Sequence, residues 1–256
     1  MHQRLSHTQA RFIRGLRFKK HRQRAQAFVV EGEKSVHLLL RSRYEVSLLV
    51  GTCACLQTID ARTLDAVETV IQADKNTLAS LSSLENNGTL LAVAHMPSQA
   101  HATPPKNTWG LVLDGIRDPG NLGTIVRLAD WFHIPALICS TDTVDVYNPK
   151  VIQASMGSFV HVLVYHTELP TWLCQTPWPI FGTFPEGKNM HHTQITSPSL
   201  IVIGNEAHGI RPAVLPYIQT RMSIPRYGHA ASLNAAMATA IVCDYWKNQR
   251  TVRGKI

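Results

Sequence analysis

The chain has no run of about 18 apolar residues, because Pro, Gly, Gln, His or a charge interrupts each candidate, so a membrane span is excluded and a soluble protein is expected. Charged residues make up only 16% and apolar ones an ordinary 45%, which argues against a coiled coil or a disordered tail. Cysteine is sparse and odd in number: Cys53, Cys55, Cys139, Cys174 and Cys243 are scattered and no secretory pattern precedes them. A disulfide framework is therefore excluded, and a reducing cytoplasm is the expected location. Cys53 and Cys55 form a C-x-C without a second Cys/His pair at finger-like spacing, so two strand or loop thiols are expected. The histidines show no H-E-x-x-H or similar ligand spacing, and no metal is expected. No G-x-G-x-x-G follows a strand and no G-x-S-x-G is present, which weighs against a nicotinamide or flavin enzyme and against a hydrolase. Gly204 and Gly209 are spaced like P-loop glycines, but Ile210-Arg211 stands where Lys-Ser/Thr would hold phosphate and magnesium.

Acidic residues are also missing from the start of the chain: Arg4, Arg11, Arg14, Arg17, Lys19, Lys20, Arg22 and Arg24 all precede Glu31. This arm accounts for much of a net charge of +8. A transit peptide would be richer in Ser and would show a processing site. A solvated helix face is the plain alternative. With Phe12, Ile13, Leu16 and Phe18 as an apolar stripe among the cations, the arm instead suits a polyanion, and nucleic acid is the commonest.

The 256 residues suffice for one large domain or two smaller ones. Residues 27–96 alternate short strands (28–30, 46–50, 69–72, 90–94) with a helix at 34–41, and Asn86-Asn87-Gly88 signals a turn. A proline-rich stretch follows, giving an N-terminal domain over 1–98, a linker over 99–108 and a second domain over 109–256. The second domain shows strands at 110–114, 136–140, 161–165, 179–183, 200–204 and 222–225 with helices between most of them and a helix over 232–247. That pattern implies α/β architecture: a mostly parallel sheet with helices on both faces, whose ligand sits at the carboxyl ends of the strands.

Three segments fall at such ends. In Leu113–Phe132, Leu122, Ile125, Val126, Ala129 and Phe132 form the buried side of a helix capped by Asn121. Either Arg127 pairs with Asp130 on the outer side, or Gly120 and Gly123 let a ligand approach and Arg127 meets it one turn on. In Leu200–Ile210 a strand ends in Gly-Asn-Glu, with Glu206 as a solvated loop residue, a helix-start carboxylate or a catalytic group. In Met222–Trp246, Ser232 or Asn234 caps a long Ala-rich helix.

Taken together, NxGxxxRxA from Asn121 to Ala129, IGNExxG from Ile203 to Gly209 and IPxxGxxxSLN from Ile224 to Asn234 resemble the SpoU family of RNA ribose 2′-O-methyltransferases. NPKVIQASMGS, Asn148 to Ser158, resembles the family's stretch between its first two motifs, and the arm with AFVVEGEKSV is similar to its N-terminal RNA-binding domain. The resemblance implies a trefoil-knotted SPOUT methyltransferase domain behind a small ribosomal-protein-like α/β domain, S-adenosyl-methionine bent in the knot, and a homodimer with the active site near the subunit interface. By position it implies a cofactor pocket at Gly182, Thr183, Gly204, Ile224, Ser232 and Leu233. It implies a catalytic group of Arg127, Asn121, Glu206, Ser232 and Asn234, and RNA contacts from Arg14, Lys19, Lys20, Arg22 and Arg24.

The residue types suit that chemistry. A sulfonium methyl is already activated, so alignment and a more nucleophilic hydroxyl are what remain to be supplied, without metal. Free arginine, with a pKa above about 12, is a poor proton acceptor, which favours Arg127 as a stabiliser of the developing alkoxide over the general base proposed in the family. The third motif departs from its usual form: Arg226 follows Ile224-Pro225, and Ala235-Ala236 follow Asn234 in place of Val-Ser. Ribosomal RNA is the expected substrate, with transfer RNA or a non-catalytic RNA-binding role in ribosome assembly as alternatives.

Overall fold

The computed structural model describes residues 5–82, 89–97, 110–134, 136–195 and 198–253. The turn signal at 86–88 and the linker at 99–108 lie outside them. The chain forms two compact units, one of Met1–His101 with Asp145–Val160, the other of Ala102–Val144 with His161–Ile256.

In chain order the first part contains α1 (His7–Gly15), α2 (Lys19–Ala25), β1 (Ala27–Glu31), α3 (Glu33–Leu40), β2 (Val46–Gly51), α4 (Cys53–Leu56), α5 (Ala61–Asp65), β3 (Thr69–Gln72), α6 (Lys75–Leu81) and β4 (Leu90–His95). The sheet order is β1-β4-β2-β3: β4 runs antiparallel to both neighbours, and β2 and β3 are parallel. One face carries Val29, Val50, Ile71, Leu91 and Val93, covered by Leu78 and Leu81 of α6 and by Ile13 and Leu16 from the arm. The arm's apolar stripe is thus divided. Ile13 and Leu16 belong to the core, while Phe12 and Phe18 stay exposed among the cations. Ser6 and Gln9 start α1 with a reciprocal capping box, satisfying two backbone groups that a helix start leaves open.

Segment 145–160, assigned by sequence to the second domain, packs with this first unit. Tyr147 lies 4.6 Å from the Phe28 ring, and Phe159 meets Phe28 edge-on at 5.9 Å. Within the segment, α8 (Pro149–Ala154) is capped by Asn148, whose side chain accepts the Lys150 N–H. Asp145 also settles the role of Arg22. That guanidinium is 1% exposed, donates to Asp145 at 2.6 and 3.1 Å, and gives its remaining terminal nitrogen to the Leu16 and Arg17 carbonyls at 2.9 Å. All three nitrogens of the fork have partners and the group is buried, so Arg22 is not presented to a phosphate, contrary to the expectation from sequence.

The second unit holds β5 (Gly110–Asp114), α7 (Pro119–Trp131), β6 (Ala136–Ser140), β7 (Leu163–Thr167), α9 (Leu169–Leu173), β8 (Ile180–Asn189), β9 (Leu200–Gly204), β10 (Thr220–Ser223) and α10 (Ala235–Arg253). Its six strands are all parallel in the order β10-β8-β9-β5-β6-β7. β5 and β6 are buried along their whole length, as strands covered on both faces must be. Val112, Ile138, Leu200 and Val202 meet Leu169 and Leu173 of α9 on one side. Two strands differ from the sequence expectation because their pairing partners shift them: β7 is set by β6 from Ala136↔Leu163 onward, and β10 by β8 from Thr220↔Phe181. β8 runs to Asn189 because pairing with β10 jumps from Gly182 to Lys188, leaving 183–187 as a bulge, and resumes. No described helix is long and apolar enough to cross a membrane.

The buried ion pair carries a prediction. Removing one partner strands a charge in the interior, so Arg22→Ala should lower unfolding stability by about 3–5 kcal/mol in a urea titration. Arg24→Ala, at an exposed position, should stay within about 0.5 kcal/mol of wild type.

Candidate active site

The carboxyl ends of β5, β6 and β9 converge on a set of polar groups. Asp114 closes β5 with 0% exposure, and a carboxylate so placed must be fully paired. It accepts the Arg211 backbone N–H at 2.8 Å and the same residue's guanidinium at 2.6 and 2.5 Å. Arg211 reaches on to Asp142 at 3.2 Å, and Arg117 meets Asp142 at 3.1 Å. Partial burial pushes the Asp142 carboxyl up, but the Ser140 hydroxyl, the Arg117 contact and the Arg211 charge outweigh it and hold the group below its ordinary value. The stability this lends is present at neutral pH and disappears as pH falls through that lowered value.

The loop after β9 is built on Asn205. Its backbone exchanges two hydrogen bonds with Gly209 at 2.8 and 3.0 Å, and its side-chain oxygen accepts the Ala207 and His208 N–H groups. Its side-chain nitrogen donates to the Gly115 carbonyl at 2.8 Å. The closure needs glycine at 204, where a Cβ would stand 2.3 Å from Gly209 and 2.5 Å from the Ile210 nitrogen, both backbone atoms that cannot swing aside. Anchored at Asn205 and Arg211, the loop presents Glu206.

Glu206 meets the start of α7. That helix is capped by Asp118, which accepts the Asn121 N–H at 2.8 Å, with Pro119 at the first helical position. The cap thus stands three residues before the expected Asn121, and Asn121 is freed for another task. Its side-chain nitrogen donates to Glu206, and its oxygen accepts from Asn234 at 2.8 Å. The Asn234 oxygen in turn caps α10, accepting the Ala236 and Met237 N–H groups at 3.0 and 3.3 Å. Helix N–H groups only donate, so they fix which way the Asn234 amide faces. That choice fixes Asn121, and Asn121 must then offer its NH2 to Glu206. Of the two caps considered for this helix, Asn234 is the one used, and α10 starts at Ala235 rather than at 232.

Asn121, Glu206 and Asn234 are thus brought together. Arg127 is not: six residues further along α7, it sits about 9 Å up the axis and about a third of a turn around it. It is exposed and pairs neither with Asp130 nor with any other described residue. Ser232 and Leu233 are exposed and Ile224 is half-buried, all in the stretch between β10 and α10. Gly182 lies in β8 between β9 and β10, and Thr183 donates its hydroxyl to the Val202 carbonyl at 3.1 Å. In the arm, Arg14, Lys19, Lys20 and Arg24 are exposed, whereas Arg22 is not. Cys53 and Cys55 stand in helix α4 rather than in a strand or loop, and the Cys55 thiol donates to Glu33 at 3.1 Å.

Three positions escaped the sequence reading. Asp114 is the one charge ending an otherwise apolar strand, which is itself a signal for a paired carboxylate. Asp118 precedes a proline, the usual grammar of a helix start. Arg211 entered only as the residue that ruled out a P-loop, and nothing local announces its partners on β5 and beyond β6.

Residues 109–244 match the model of the SpoU rRNA Methylase family. The chain belongs to this family. Residues 8–92 match the MRM3-like substrate binding domain. Among SpoU relatives, the 23S rRNA (guanosine(2553)-2′-O)-methyltransferase RlmP of Bacillus subtilis is 30% identical over 89% of this chain and 91% of its own length. A solved Porphyromonas gingivalis protein assigned to the TrmH family of RNA methyltransferases superposes with a TM-score of 0.87 at 35% identity, covering 96% of this chain and all of that one. The SpoU methyltransferase AviRb of Streptomyces viridochromogenes, solved in complex with AdoMet, superposes at 0.83 with 26% identity over 96% and 99% of the two chains. The SPOUT methyltransferase fold expected from the motifs is thereby established.

The site residues of this SpoU chain fit such a cofactor. Residues 183–187 pair in register with neither neighbouring strand, although the Gly187 carbonyl accepts the Ser223 hydroxyl, so 184–186 is the stretch whose backbone would meet an adenosine. Gly204 brings the β9 end into direct backbone contact with Gly209 and Ile210, keeping side chains out of that corner. Gly204→Ala should therefore displace the loop and with it Glu206. We expect a loss of about 1–3 kcal/mol in stability and weaker S-adenosyl-methionine binding by calorimetry, while Gly228→Ala, with open space around it, should change neither.

Proposed function

We propose that this protein transfers a methyl group from S-adenosyl-methionine to the 2′-hydroxyl of one ribose in large-subunit ribosomal RNA. The observation that carries the reading is the oriented amide relay from α10 through Asn234 and Asn121 to Glu206, found in a chain whose residues 109–244 match the SpoU rRNA Methylase family and whose residues 8–92 match the MRM3-like substrate binding domain. Ribosomal RNA is favoured over transfer RNA by the relatives named for 23S rRNA, and the enzyme reading over a non-catalytic one by the intact relay. Residues 1–98 serve as the RNA-binding domain, 99–108 as the linker and 109–256 as the methyltransferase domain. A cytoplasmic location fits this substrate.

The cofactor supplies an activated methyl group. Gly182, Thr183, Gly204, Ile224, Ser232 and Leu233 border the place that would hold it, mainly through backbone groups. As the ribose oxygen bonds to the methyl, the methyl–sulfur bond would break with its electron pair left on sulfur and the hydroxyl proton would pass to water, while negative charge grows on the oxygen before the bond is complete. Arg127 presents a cation to that oxygen, and Glu206, its geometry set by Asn121, orients the hydroxyl. Ser232 stands two residues before Asn234, on the approach to α10. Arg14, Lys19, Lys20 and Arg24 grip phosphates without reading bases.

Arg127 gains its partners, in this reading, from a second copy of the chain. Gly120, Thr124, Arg127 and Trp131 form one exposed stripe on α7, where Trp131 is 82% exposed. Met237 and Ile241 form a second on α10, which packs against α7. A catalytic cation and a large bare indole on one face suit a symmetric interface in which each copy completes the other's site.

Labelled methyl transfer to unmodified ribosomal RNA, with transfer RNA in parallel, tests the function. Label should appear as a 2′-O-methyl nucleotide in ribosomal RNA alone, and Arg127→Ala should lower the rate by about 10²–10³-fold. Absence of label with cofactor binding retained would overturn the substrate assignment, and absence of cofactor binding would support the non-catalytic alternative. Trp131→Glu should convert a dimer to a monomer in sedimentation and abolish transfer while the protein stays folded by circular dichroism. A wild-type monomer would overturn the shared site.

A further inference from the structure

Among the described residues, the loop between β10 and α10 is hydrogen-bonded at both ends and not between them. At one end Ser223 pairs with Asn189 and donates its hydroxyl to the Gly187 carbonyl at 3.0 Å. At the other, Asn234 is fastened to Asn121 and to the N-terminus of α10. Residues 224–233 make no hydrogen bond or ion pair among the described residues. The loop contains no acidic residue, and at its tip Arg226, Tyr227 and His229 are all exposed. Tyr227 is 96% exposed, a larger fraction than any other large apolar or aromatic side chain described. An aromatic face left wholly in water is free to stack on a partner from outside.

We propose that Tyr227 is a stacking platform for an unpaired base beside the methylated ribose, with Arg226 pairing to the adjoining phosphate. The inference rests on the function proposed above and adds to it a positioning residue for the RNA. The chemistry selects the partner: a bare aromatic face beside a guanidinium, on a strip without negative charge, matches a single-stranded nucleic acid, which offers a π-face and an anion at each nucleotide. The position fits as well. Seven residues past Tyr227 the chain reaches Asn234, so a base held at the tip lies within one short loop of the relay that sets Glu206. Duplex RNA would hide its base faces, so the target ribose should lie in a loop, a bulge or a locally opened segment.

The test measures RNA affinity by fluorescence anisotropy with a fragment of unmodified large-subunit ribosomal RNA, alongside steady-state methyl transfer and S-adenosyl-methionine binding. Tyr227→Ala should raise the KM for RNA about five- to a hundred-fold and weaken RNA binding equally, with kcat within about two-fold and cofactor affinity unchanged. Tyr227→Trp should restore the affinity, which a role in folding alone would not produce. Arg226→Ala should reduce the slope of log affinity against log salt by about 0.7. An unchanged KM in Tyr227→Ala overturns the inference while leaving the methyltransferase reading standing. Weaker cofactor binding in that variant also overturns it, by placing Tyr227 over the cofactor, and so does a change of mass in sedimentation, by placing it in a subunit interface. RNA binding that depends on Tyr227 in a protein that transfers no methyl supports the stacking and overturns the transferase reading instead.

Discussion

A carboxylate with no access to water must have its charge met, and Asp114 is such a carboxylate, at the end of the strand between β9 and β6. Arg211 meets it with backbone and guanidinium together, which fixes one end of the loop after β9; Asn205, bound to the Gly115 carbonyl, fixes the other. Glu206 lies between these anchors and has little freedom left. In the proposed mechanism, Glu206 is positioned by side chains that take no part in the chemistry, as preorganised sites generally require.

From Glu206 the constraint passes to the helices. Two backbone N–H groups at the start of α10 decide the orientation of Asn234, hence of Asn121, hence which of its groups faces the carboxylate. The relay gives a reason for two asparagines where either aspartate would fail. A carboxylate at 121 would face Glu206 with like charge, and one at 234 would have no hydrogen to give to Asn121. The same relay links the first and third motifs to the second, although they lie far apart in sequence.

Much of this was legible in advance where the signal was local. Strands at 69–72, 110–114, 136–140 and 200–204 fall where the alternation and apolar runs place them, and the motifs named the family before any coordinates did. The misplacements have physical causes. Asn121 looked like a cap because any side-chain acceptor before an apolar-periodic run does, and only the structure shows Asp118 doing that work three residues earlier. Arg22 was indistinguishable from its neighbours in an arm of like charges. Its burial depends on Asp145, more than a hundred positions away, and no pattern within the arm could reveal that. The segment 145–160, which includes the stretch resembling the family's sequence between its first two motifs, packs with β1 because Tyr147 and Phe159 find Phe28 there.

The sequence by itself determined the chemical inventory: a basic, acid-free N-terminus, a parallel α/β core, and an ordered set of Asn, Arg, Glu and Ser at strand ends. Those follow from composition and short-range periodicity, which do not depend on how the chain crosses itself. Only the tertiary structure decided which of those groups meet. It joined Asn121, Glu206 and Asn234, left Arg127 facing outward on the stripe of Trp131, withdrew Arg22 from the arm and left Tyr227 bare. Each outcome turns on a pairing between distant residues, and such pairings are settled by strand order and by the need to satisfy every buried charge.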